Sequence, residues 1–220
     1  ILFQRLPNPC LVSAKHAAAA QNQSDLTNGW MVLHAVFCNT KTVPLDIPIL
    51  TPEVADLLAL AGGGTRLMPL VCRGPSHQEA SQRLATFQPA NLFPDARSPQ
   101  GALAGLWLYF SYFTESHEVA QELHTPEGSF WHGIVHRQEP DDWNSAYWFR
   151  RVGKHPIFEP LSQAALNLGY PAKPGAWDPF AFIEFCAEAR TEPGGEKERL
   201  AREVQRAEWQ LLFNYCAAPK

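Results

Sequence analysis

The sequence predicts an all-α protein: an irregular bundle of about eight antiparallel helices with a long, less regular N-terminal segment. Three observations carry this reading. Five helix starts pair a capping residue or a glutamate with proline, at Thr51-Pro52, Ser98-Pro99, Thr125-Pro126, Glu159-Pro160 and Asp178-Pro179. Apolar residues recur at helical spacing after those starts, and the intervening breaks are short, which favours antiparallel neighbours. The 220 residues are 45% apolar and 18% charged, enough to bury a sizeable core in one domain spanning residues 1–220.

Residues 1–50 read as an irregular extension. Leu11 to Asn22 suits an alanine-rich helix, Trp30 to Cys38 a buried strand or short core helix, and Val43 to Leu50, with Pro44 and Pro48, an extended loop. From Thr51 a helix runs to the flexible break Gly62-Gly63-Gly64. That break is no phosphate loop, because it follows a helix and no GK[ST] follows it. Leu67 to Cys72 is a short apolar piece. Ser76 caps a helix through about Phe87, Asn91 to Ser98 is loop, and a strongly apolar helix follows through Phe113. Glu115 to Leu123 is a further short helix.

The central stretch is a helix pair. Thr125-Pro126-Glu127 supplies a cap, a first-turn proline and an acidic residue for the positive end of the dipole, and Pro140 stops the helix near Gln138. Asp141 or Asp142 opens the second helix, which Gly153 ends. Apolar side chains lie nearly all round this second helix, so it is expected to be buried on most sides, with Arg150 partly buried and tied to the Glu139–Asp142 turn. Further on, helices are expected at Glu159–Gly169, after Asp178, and over Glu196–Ala217, the last with Leu200, Val204, Ala207, Leu211 and Leu212 on one face.

The formal charge of −4 and pI near 6.1 argue against a general nucleic-acid or membrane-surface binder. No apolar run approaches the ~20 residues that span a bilayer. The five cysteines are odd in number, widely spaced and without a CxxC pair, which favours reduced thiols in a cytoplasmic protein. The chain opens on Ile1 instead of methionine, which leaves room for a segment removed before it.

Ser116-His117, Gly128-Ser129-Phe130-Trp131-His132, His136-Arg137, Glu139 and Tyr147-Trp148-Phe149-Arg150-Arg151-Val152-Gly153 together resemble a family of uncharacterised bacterial helical proteins. The resemblance covers the stretch from about Leu103 to Phe158 and implies no activity. The helix pair also has about the length of one tetratricopeptide repeat. With Ala146 at that repeat's small position, however, Arg137 and Arg150 fall where aromatics belong, so no recognition groove is expected.

Histidine is concentrated in the same region. Five of the eight histidines, His117, His124, His132, His136 and His155, lie within 39 residues, several-fold above an even spread. His132 and His136 stand one helical turn apart, a spacing that lets two imidazoles share one ion. His117 is the expected third ligand and Glu139 the expected general base. DinB-like hydrolase and transferase bundles use a similar HxxxH spacing. The pair lacks the intervening glutamate of HExxH, so solvated or hydrogen-bonded histidines are the competing reading. Arg150 and Arg151 can clamp a carboxylate or phosphate, and Tyr147 and Trp148 can line a ligand pocket.

Two functions follow. One is a helical binding or scaffold domain with a polar His/Arg pocket for a small acidic ligand or a protein partner. The other is a metal-dependent hydrolase or transferase holding Zn, Ni or Mn on His117, His132 and His136.

Overall fold

Capping chemistry sets where the helices begin. In the computed structural model, which describes residues 51–220, Thr125 accepts from Gly128 N (3.3 Å), Ser98 from Gly101 N (3.3 Å), Asp141 from Asn144 N (3.1 Å), and Asp178 from Phe180 and Ala181 N (2.9 and 3.1 Å). Thr51 makes no such cap; its hydroxyl turns to Leu92 O. The readings for Leu11–Asn22, Trp30–Cys38 and Val43–Leu50 lie outside the described residues.

Among the described residues there are ten helices and no strand. They are α1 (Pro52–Ala59), α2 (Gln78–Leu84), α3 (Pro89–Leu92), α4 (Pro99–Tyr109), α5 (Phe113–Glu122), α6 (Pro126–Gln138), α7 (Asp142–Val152), α8 (Phe158–Leu168), α9 (Pro179–Ala189) and α10 (Glu196–Ala217). The all-α expectation holds. The four-residue α3 falls where sequence gave only loop, and α8 starts at Phe158, ahead of Glu159-Pro160. Isolated bridges occur at Ala96–Pro219 and Lys173–Ala176.

Successive helices α4, α5, α6 and α7 pack as neighbours, and α10 lies against α4, α8 and α9. Close approach at two glycines shapes this packing. A side chain at Gly105 on α4 would sit 2.8 Å from the Trp131 ring, and one at Gly133 on α6 would sit 2.9 Å from Phe149. The α6–α7 contact is pinned further by Ser145 Oγ donating to Gly133 O (2.8 Å), and α5 is tied to α4 by Ser116 Oγ donating to Ala104 O (2.9 Å). These contacts fix the rotation of α5, α6 and α7 about their axes.

The main core gathers apolar residues of α1, α4, α6 and α10, with the α10 Trp209 indole donating to Gly105 O (2.8 Å) and stacked on Phe213. A second cluster joins α8, α9 and the first half of α10 around Leu161, Phe182 and Val204.

The expectation that α7 is buried on most sides is corrected. Only Ser145, Phe149 and Val152 are buried, while Trp143 is 73% and Tyr147 41% exposed. Arg150 is exposed as well and stands over the Phe180 ring, 5.8 Å from its centroid, so it does not tie down the turn. That task falls to Arg190, whose Nη2 lies 2.8 and 2.9 Å from the two oxygens of Asp142 and whose Nη1 reaches Arg137 O. The helix is less buried than its composition suggested because Trp143 and Tyr147 face solvent. Trp143 stacks on Tyr147, and Tyr147 meets Trp148 edge-on.

Candidate metal centre

The i, i+4 spacing on α6 puts His132 and His136 on one side, with ring centroids 4.8 Å apart and planes nearly parallel. That side faces α5, which presents His117. The His117 ring lies 4.3 Å from His132 and 5.3 Å from His136, and the two Nε2 atoms of His117 and His132 are 2.9 Å apart. One ligand nitrogen from each of the three rings lies within 4.8 Å of the other two. From the other side Trp148 of α7 stacks on His132 at 3.8 Å, fixing the plane of that ring.

The environment disfavours the protonated forms of His132 and His117. Burial depresses the His132 imidazole to about 3, with the charges of His117 and His136 acting in the same direction. Burial also lowers His117, helped by His136 and partly opposed by Glu139 and Glu118. His132 is only 2% exposed, and its Nδ1 has no hydrogen-bond partner. The cluster thus packs three imidazoles closely, with the protonated forms of His132 and His117 disfavoured and their Nε2 atoms within hydrogen-bond distance of each other.

The donors suit a divalent transition metal. Neutral imidazole is the form that ligates, and bonds of about 2.0–2.1 Å to Nε2 atoms 2.9 Å apart subtend roughly 90°. The most widely spaced ring would have to close in by a rotation on the order of an ångström. Glu139 Oε2 lies 3.2 Å from His136 Nδ1, within ion-pair range but off the hydrogen-bond direction. This is the place of a carboxylate that orients a ligating histidine.

The other expected residues divide. Arg151 stands over the α7 aromatics, with its guanidinium 5.3 Å from the Trp148 ring centroid and 5.9 Å from that of Tyr147. Arg150 points away toward α9. His124 is exposed beyond the end of α5. His155 forms a separate buried pair, with Nε2 3.8 Å from Glu127 Oε1, and it accepts from Ile157 N at Nδ1 (3.3 Å). The neighbouring His155 imidazole pulls the Glu127 carboxyl down to about 2.

Sequence reasoning missed the internal ion pair. Arg137, adjacent to His136, turns to the opposite side of α6 and pairs with Glu208 of α10, with Gln205 Oε1 at 3.4 Å from its Nη2 and the Phe182 ring beneath it. No spacing signal links residues 71 positions apart. The buried thiols are also unsuited to nucleophilic chemistry, since burial pushes Cys186 up to about 12 and Cys216 higher still.

Comparison of the chain with known protein families, with curated proteins and with solved structures finds no match. The functional reading therefore rests on the geometry of the site.

Proposed function

We propose that this protein binds one divalent transition ion, Zn, Ni or Mn, through His117, His132 and His136, and that the ion serves hydrolytic or group-transfer chemistry. The observation that carries the reading is the convergence of three buried or half-buried imidazoles from two helices, two of which, His132 and His117, resist protonation. Three protein ligands leave a coordination position for water or substrate, and a bound ion lowers the pKa of that water toward neutrality. Glu139, whose Oε2 lies 3.2 Å from His136 Nδ1, would be the carboxylate available to steady that ring and to take a proton from the water. Arg151, over the Trp148 ring, would suit an anionic group of the substrate.

The test is metal analysis of full-length protein purified without chelator or nickel resin. The proposal expects near-stoichiometric metal that disappears in His132→Ala and persists in His124→Ala. Metal-free protein whose melting temperature ignores added Zn, Ni and Mn would end it.

A second reading, a binding or scaffold domain, is favoured by the exposed Trp143–Tyr147 pair beside Arg151. Such a face suits an acidic small molecule or a protein segment. Loss of binding in Trp143→Ala with metal content unchanged would separate it from the first.

A further inference from the structure

Away from the histidines, the loop following α1 and the start of α10 border a cleft of about 640 Å³. Its size lies in the range of small-molecule sites. Arg66 and Arg73 reach it from the loop and Arg202 from α10, and Ser76, Ser111 and Glu198 complete the polar lining. Three guanidiniums therefore face a single carboxylate, and that carboxylate is engaged with Gly194 N.

The arginines are held but not neutralised. Arg66 donates to Tyr109 O and to Ser111 Oγ (2.9 Å), and Arg202 donates to Met68 O (3.2 Å) and Leu67 O (2.6 Å). These acceptors are carbonyls and a hydroxyl, which orient a guanidinium without cancelling its charge. Among the described residues no ion pair involves Arg66, Arg73 or Arg202. Burial lowers Arg66, Tyr109 works against that shift, and the charge of Arg202 lowers Arg66 further.

Further along α10, Arg206 is 8% exposed and its Nε has no hydrogen-bond partner, but it does not line the cleft. Ser111, whose hydroxyl accepts from Arg66, is a non-glycine residue at φ 63°. That left-handed conformation is rare for serine, and the bond from Arg66 helps to hold it.

We propose that this cleft binds a small, multiply charged phosphorylated molecule, with Arg66, Arg73 and Arg202 as the anion clamp. Fork-shaped guanidiniums arriving from separate elements match the several oxygens of a phosphoryl group better than the two of a carboxylate. The site is independent of the metal reading, since none of its residues contacts the histidines.

The test is calorimetric titration of full-length, chelator-dialysed protein with inorganic pyrophosphate at physiological ionic strength, with citrate as the carboxylate control. Saturable 1:1 pyrophosphate binding is expected. Arg73 is exposed and supports nothing else, so Arg73→Ala should fold normally and weaken binding about tenfold or more. Glu198→Gln removes the competing carboxylate and should tighten binding, an effect that a merely structural role would not produce. Arg199→Ala, at an arginine paired with Glu203, should leave affinity unchanged, and His132→Ala should too. Absence of saturable binding, an unchanged affinity in Arg73→Ala, citrate binding as tight as pyrophosphate, or loss of binding in His132→Ala would each overturn the proposal.

Discussion

His136 and Arg137 are neighbours on α6, yet they serve opposite sides of the helix. On the α5 and α7 side, three imidazoles crowd together without a charged partner for His132 and with an unmet Nδ1. On the α9 and α10 side, the Arg137 guanidinium, fully buried, meets Glu208, Gln205 and the Phe182 ring. Both clusters bury ionisable groups at a cost. Each cluster leaves a buried nitrogen without a hydrogen-bond partner, Arg137 Nε in the second and His132 Nδ1 in the first. The difference lies in charge: the second supplies a carboxylate for its cation, whereas the first supplies none for His132. That difference is what the metal proposal builds on.

The contrast can be broken at several points. The largest effect belongs to the ion-paired side. Glu208→Ala leaves Arg137 as an uncompensated buried charge and should destabilise the protein by about 3–5 kcal/mol in urea denaturation. Replacing both partners with apolar residues of similar volume, Arg137→Met with Glu208→Leu, should cost clearly less. A double variant as unstable as Glu208→Ala would show that the pair is not self-contained.

The histidine side should respond to pH. An imidazole held near 3 in the folded protein, against an ordinary value of about 6.5, binds fewer protons folded than unfolded between those limits. Stability of the metal-free protein is therefore full above about pH 6.5 and is lost progressively as pH falls from there toward 3. His132→Phe should flatten this slope in melting curves recorded across that interval. An unchanged slope would mean that His132 does not carry the acid sensitivity.

Smaller still is the effect of the orienting carboxylate. Glu139→Gln should weaken metal binding about 10–100-fold, as loss of a histidine's outer partner typically does, with little change in the melting temperature of the metal-free protein. The smallest effect is expected at Arg150. Exposed and unpaired with any carboxylate among the described residues, it should change stability by no more than about 0.5 kcal/mol when replaced by alanine. A loss several times larger would restore the buried role that its sequence context suggested.

Much of the helical framework was legible because local chemistry dictates it. Thr125-Pro126, Ser98-Pro99 and Asp178-Pro179 announce helix starts whatever packs above them. The His132/His136 pair followed from the period of the helix, and the unusual density of histidine drew in His117. Burial on α7 was misread because hydrophobic character was taken as evidence of burial, whereas Trp143 and Tyr147 face solvent. The partners of Arg137 and Asp142, and the cleft of Arg66, Arg73 and Arg202, depend on contacts between segments 48 to 136 residues apart, a separation at which no local pattern survives.

The central claim is that His117, His132 and His136 close on one ion. Zinc-edge X-ray absorption of protein loaded with one equivalent of zinc measures this directly. The structure predicts a first shell containing three imidazole nitrogens at about 2.0–2.1 Å, reduced by one in His132→Ala. A shell of water oxygens alone, or an imidazole shell that His132→Ala leaves intact, would contradict it.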